Sequence, residues 1–66
     1  MKYIAVNKTN PKLTYTASSV WDVVEEAYDI QLLHVENNSD IFEKFYDEYV
    51  IFRVEVEIYQ ITKISA

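Results

Sequence analysis

The sequence predicts an α+β fold: a small antiparallel sheet of about four strands packed by one or two amphipathic helices, in a single domain spanning residues 1–66. Three observations carry this. Ser19 to Asp29 has helical periodicity, with Val20, Val23, Val24, Ala27 and Tyr28 at i, i+3, i+4, i+7 and i+8. Lys2–Asn7 and Lys12–Ala17 alternate around a loop rich in Asn and Pro. Val50–Ile64 has the strongest β character in the chain, alternating and rich in β-branched residues.

In chain order, Lys2–Asn7 is the first strand, with Tyr3 and Ala5 on one face and Ile4 and Val6 on the other. Asn7-Lys8-Thr9-Asn10-Pro11 is a loop, because Asn bonds its own backbone and Pro fixes φ. Lys12–Ala17 returns as the second strand of a hairpin, with Leu13, Tyr15 and Ala17 on one face. Ser19 then caps the helix, and Asp22 three residues later resembles a capping box. Trp21 lies at the border of the apolar stripe, where a large residue closes the edge of a core. Ile30–Glu36 is expected as a third strand. Asn37-Asn38-Ser39-Asp40 is a turn. Ile41–Tyr49 reads as a short helix capped by Asp40, with Phe42, Phe45, Tyr46 and Tyr49 along one side; a hairpin arm turning at Asp47-Glu48 is the alternative.

The last stretch places Val50, Phe52, Val54, Val56 and Ile58 on one face and Ile51, Arg53, Glu55, Glu57 and Tyr59 on the other. Fifteen extended residues would span roughly 50 Å, against a radius of gyration near about 11 Å for a compact chain of this length. The strand must therefore break. The apolar phase slips by one residue after Ile58, which is the mark of a bulge. A bend near Ile58–Gln60 is expected, or an extension that pairs with another chain.

Composition excludes whole classes of chemistry. A domain of 66 residues buries only about 60% of its unfolded surface, and small domains usually add disulfides, a metal or self-association. The chain has no cysteine, which removes disulfides, thiolate nucleophiles, Cys-based zinc sites and iron–sulfur clusters, and its one histidine rules out a His-rich metal site within one chain. It has no glycine, so no phosphate loop or dinucleotide fingerprint can form. Positive-φ positions are then expected at Asn7, Asn10, Asn37 and Asn38. Dense packing remains, helped by ten aromatic residues, or self-association. The short apolar run Tyr3–Val6 is no signal-peptide core and no stretch is long enough to span a bilayer, so a cytoplasmic protein is expected.

The net charge of −5 is unevenly spread. All eleven carboxylates lie between Asp22 and Glu57, against Lys44 and Arg53 alone, which gives that block −9. The first 21 residues hold three lysines and no acid. Such a block repels nucleic acid and anionic membranes and favours a basic partner.

No catalytic, metal-binding or cofactor-binding residue is expected. The serines sit at caps, turns or the terminus, and no Ser/His/acid set can be argued. His34 and Glu36 offer two ligands on one strand face, with nothing to complete a site. The acids from Asp40 to Glu48 lack the alternating ligands and the glycine of a calcium loop. What stands out is the arrangement of acids in lines. Asp22, Glu25, Glu26 and Asp29 form one helical line, Glu43, Asp47 and Glu48 a second, and Glu55 with Glu57 a third on a strand face. Helical neighbours at i+3 and i+4 lie about 5–6 Å apart, a spacing comparable to phosphates along a nucleic-acid backbone. Like charges at i+4 cost a few tenths of a kcal/mol each, so a marginal domain that repeats them points either to solvated faces that keep it soluble or to a surface that receives a partner. Tyr28, Tyr46 and Tyr49 lie beside these acids and complete the candidate partner-binding set, since tyrosine joins apolar area to a hydrogen bond.

A tiny, cysteine-free, acidic α+β chain with lines such as WDVVEEAYD and DIFEKFYDEY resembles the small phage-encoded inhibitors of host defence, including anti-CRISPR proteins. The resemblance is one of size, charge and layout, and it carries over no residue roles. It implies a stoichiometric inhibitor, acting in the host cytoplasm, that blocks a nuclease or its nucleic-acid channel by occupying a basic surface. The alternatives are a homodimeric assembly module joined through the Val50–Ile64 strand, or an antitoxin-like partner of a basic toxin.

Overall fold

The computed structural model describes residues 1–55 and 60–65. It is an α+β structure with a four-stranded antiparallel sheet and two α-helices. The elements are β1 (Lys2–Asn7), β2 (Thr14–Ala17), α1 (Val20–Tyr28), a 3₁₀ turn (Leu32–His34), α2 (Asn38–Glu48), β3 (Tyr49–Glu55) and β4 (Gln60–Lys63). The strand order is β2-β1-β3-β4, so β1 and β3 are central.

The β1–β2 hairpin turns on Asn7, whose side-chain oxygen accepts from the Thr9 and Asn10 backbone N–H groups at 3.0 Å and from the Thr9 hydroxyl at 2.9 Å. Lys8 then docks this loop onto the end of α2. Its backbone N–H donates to the Glu48 carbonyl at 2.8 Å, and its Nζ donates to the Tyr46 carbonyl at 3.3 Å.

α1 begins where its cap signal places it. Ser19 is extended, and its Oγ accepts from the Asp22 N–H at 3.1 Å. The helix ends at Asp29 in the left-handed region (φ 53°, ψ 51°), with the Asp29 and Ile30 N–H groups both donating to the Glu25 carbonyl. Asp29 is the one positive-φ residue among the described residues. Asn7, Asn10 and Asn37 instead hold their turns with side-chain bonds at negative φ, and Asn38 is the first residue of α2.

The expected strand at Ile30–Glu36 does not form. Both central strands already have two neighbours, and Leu32–His34 winds into a 3₁₀ turn that buries Leu32. The sheet still has four strands because the long C-terminal stretch is divided. β3 and β4 are antiparallel, pairing Glu55 with Gln60 and Phe52 with Lys63, so the chain reverses between them. The bend expected at Ile58–Gln60 falls mainly on residues outside the described set. Helix α2 forms, which disposes of the hairpin arm. It starts earlier than expected, capped at Asn37 rather than Asp40, and gives up Tyr49 to β3.

Both helices lie on one face of the sheet. Register places Tyr3, Ala5, Tyr15, Ala17, Tyr49 and Ile51 on that face. The core between the layers is Ala5, Val23, Val24, Leu32, Phe45, Tyr49 and Ile51. The helices meet through aromatic rings, Trp21 on Phe42 at 5.8 Å and Tyr28 on Phe45 at 6.1 Å. Contacts advance along both helices together, so α1 and α2 run in the same direction. The radius of gyration is 11.8 Å.

Candidate functional site

The acidic residues of the two helices form the candidate site, and the fold divides them into free and committed groups. On α1 the stripe Val20, Val23, Val24 and Ala27 turns inward, which carries Asp22, Glu26 and Asp29 to the surface. On α2 burial of Phe45 exposes Glu43 and Asp47, which with Asp40 and Lys44 line a shallow depression along the helix. Tyr46 is 44% exposed beside them.

Several of the expected residues are used internally. Glu25 Oε2 accepts from the Leu32 N–H at 2.8 Å and so caps the 3₁₀ turn. Glu48 Oε1 accepts from the Tyr28 hydroxyl at 2.5 Å, which ties the end of α1 to the end of α2. Burial, reinforced by this bond to a carboxylate, pushes the Tyr28 phenol well above its ordinary range. Lys44 Nζ lies 5.2 Å above the Tyr28 ring, a cation–π contact on the same side chain. Tyr49 is 3% exposed and stacks on Phe45 at 4.9 Å, leaving no surface for a partner. Glu55 faces Arg53 Nε at 3.4 Å. Glu57 lies outside the described residues. The acidic surface is therefore Asp22, Glu26, Asp29, Glu43 and Asp47, with Asp40 added by the fold.

The helix ends make this surface unusual. A helix C-terminus carries partial negative charge and favours cations. Neither α1 nor α2 has a basic residue in its last turn. α1 instead ends on Glu25, Glu26 and Asp29, and α2 on Asp47 and Glu48. Lys8 compensates the end of α2 through the Tyr46 carbonyl. At the end of α1 Lys44 lies over the Tyr28 ring, but no described hydrogen bond or ion pair takes a cation to Glu26, Asp29 or the last carbonyls. Asp29 also takes the left-handed backbone there, a position that Gly fills most readily and that Asp, like Asn, adopts more easily than other residues.

His34 is exposed at the end of the 3₁₀ turn, and its backbone N–H donates to the Gln31 carbonyl at 3.0 Å. Among the described residues no group of three His, Cys, Asp or Glu side chains is arranged to hold a metal ion. No helix among them is long and apolar enough to cross a membrane. The chain matches no protein-family model, no curated protein and no solved structure.

Sequence reasoning missed the commitment of Glu25 and Glu48. It also missed what lies behind the sheet. β1 and β3 are apolar on both faces, and the helices cover only one. That signal was in the alternation, since Ile4, Val6, Val50, Phe52 and Val54 fill the parity opposite Ala5 and Ile51.

Proposed function

We propose that this chain is a stoichiometric, non-catalytic protein-binding inhibitor that occupies a basic nucleic-acid-binding surface with its acidic helix layer, in the manner of phage-encoded anti-defence proteins of the anti-CRISPR type. The observation that carries this reading is the acid-terminated end of α1. Glu26 and Asp29 stand where the helix dipole disfavours carboxylates. Each such placement costs about 0.3–1 kcal/mol in a domain with a small core. A surface kept only for solubility needs carboxylates somewhere, but not there. A surface that receives cationic side chains, or displaces phosphates from them, needs the charge concentrated.

The supporting pattern is the concentration of Asp22, Glu26, Asp29, Glu43 and Asp47 on two parallel helices on one side of the sheet. Tyr46 supplies a part-apolar contact at its margin. The proposed partner is a nuclease or another nucleic-acid-binding protein. Binding of this kind is electrostatically steered and weakens steeply with salt. The test is capture of the partner from a lysate of the host, with the retained protein challenged by added duplex DNA or RNA. The reading expects release by nucleic acid and by about 0.5 M salt. Capture of a partner that neither releases would end the mimicry mechanism.

A further inference from the structure

We propose that the uncovered face of the sheet is the interface of a two-fold dimer, in which a second copy of this chain supplies the layer that the fold lacks on that side. The face can be read from the register. One row is Lys2, Val54 and Ile61; the next is Thr16, Ile4, Phe52 and Lys63; the third is Thr14, Val6 and Val50. Apolar side chains fill the middle, and threonines and lysines stand at the margins. None of these apolar residues belongs to the core cluster or packs against it. Ile4, Val6, Val50, Phe52 and Val54 are half-buried, and Ile61 is 67% exposed. No described carboxylate falls on this face, although the chain has eleven.

The extent of the face fits a small interface between copies. Four strands about 4.8 Å apart, of six, four, seven and four residues at 3.3 Å per residue, give a patch of roughly 330 Å². The molecule exposes 4684 Å². The patch is therefore about 7% of its surface, somewhat below the tenth that a standard interface takes from a small protein. It sits at the small end of the interface range, so the association is reversible and depends on concentration.

Charge selects the occupant. Two copies carrying −5 each repel, and contact through the helix layers would press carboxylates together. Contact through the open faces does the opposite. Packed sheets lie about 10 Å apart, and each helix layer stands roughly another 10 Å behind its sheet. The two acidic layers are then about 30 Å apart, nearly four Debye lengths of about 8 Å at physiological salt. With the two-fold axis along the strands, Ile4 of one copy lies over Phe52 of the other and Lys63 lies over Thr16, so the two Lys63 side chains stay at opposite margins, while the two exposed Lys2 side chains share one open end of the interface. The sheets align as in an ordinary sandwich. The dimer carries its two acidic layers on opposite outer sides, and each remains free for a partner.

The test is the mass of the full chain by sedimentation equilibrium from about 10 µM to 1 mM. The expected result is a shift from 7.8 kDa toward twice that value. Ile61→Lys should weaken self-association about tenfold or more without loss of fold, since Ile61 is already exposed. Phe52→Lys, at the centre, should abolish it. Glu26→Lys and Asp47→Lys, on the helix side, should leave it intact. A chain that stays at 7.8 kDa at 1 mM overturns the proposal, and so does a dimer that both open-face variants leave unchanged. The measurement needs no partner protein, so its failure leaves the reading of the acidic layer untouched.

Discussion

At the residue scale, acids that look equivalent in sequence do different work. Glu25 and Glu26 are neighbours, yet a rotation of about 100° per residue sends one to the Leu32 N–H and the other to solvent. Periodicity places a residue on a face but does not say which border residue finds a donor. Glu25→Ala should destabilise by about 1 kcal/mol in chemical denaturation, because a buried N–H loses its acceptor. Glu26→Ala should be neutral or mildly stabilising, since it removes a carboxylate from a helix C-terminus. Equal losses for the two would refute the distinction. Tyr28→Phe should cost about 1–1.5 kcal/mol by losing a bond to a carboxylate. Its pH dependence follows from the direction of the shift. The fold holds the Tyr28 proton more tightly than the unfolded chain does. The contribution is therefore fully present below the ordinary phenol value of 10 and is lost as pH rises above it. The stability difference between wild type and Tyr28→Phe should shrink above that pH, and a constant difference would contradict the assignment.

At the element scale, α1 was legible because its cap, stripe and polar face agree. Ser19→Ala should lower stability by about 1 kcal/mol in thermal melts. The end of the same helix was not legible, because a chain without glycine must put another residue in the left-handed position, and Asp29 does not signal it. Asp29→Asn should raise stability by about 0.3–1 kcal/mol, removing the charge from the helix C-terminus while keeping a residue that suits the left-handed backbone. A loss of stability there would remove the argument that this carboxylate is kept at a cost. Ile30–Glu36 misled for a different reason. Its apolar residues suit a strand, but a strand needs an edge to pair with, and that depends on the order of the whole sheet. The C-terminal stretch was read correctly as too long for one strand, from length alone. Division into β3 and β4 also relocates the expected dimer edge. β3 is paired on both sides, so the free edge of Val50–Ile64 belongs to β4.

At the scale of the whole molecule, the two faces are opposite in character. Helices and carboxylates lie on one side, and an apolar patch bordered by lysine and threonine lies on the other. The fold class was visible in the periodicities, and the segregation of charge in the block of −9. The open face was visible only in part, because alternation shows that both parities are apolar without showing which one the helices cover. Repulsion within the acidic layer should make the free protein more stable in added salt, with the melting temperature rising between about 10 mM and 0.5 M sodium chloride. The same salt should weaken partner binding, and these opposite responses mark a surface in which stability and binding compete.

The central claim is that the exposed carboxylates of α1 and α2 are the working surface. Replacement of Glu26, Asp29, Glu43 and Asp47 by lysine, followed by capture from host lysate and a thermal melt of the same variant, tests it most directly. The account predicts a folded protein at least as stable as the wild type that no longer retains the partner. A folded variant that retains the same partner undiminished would contradict it.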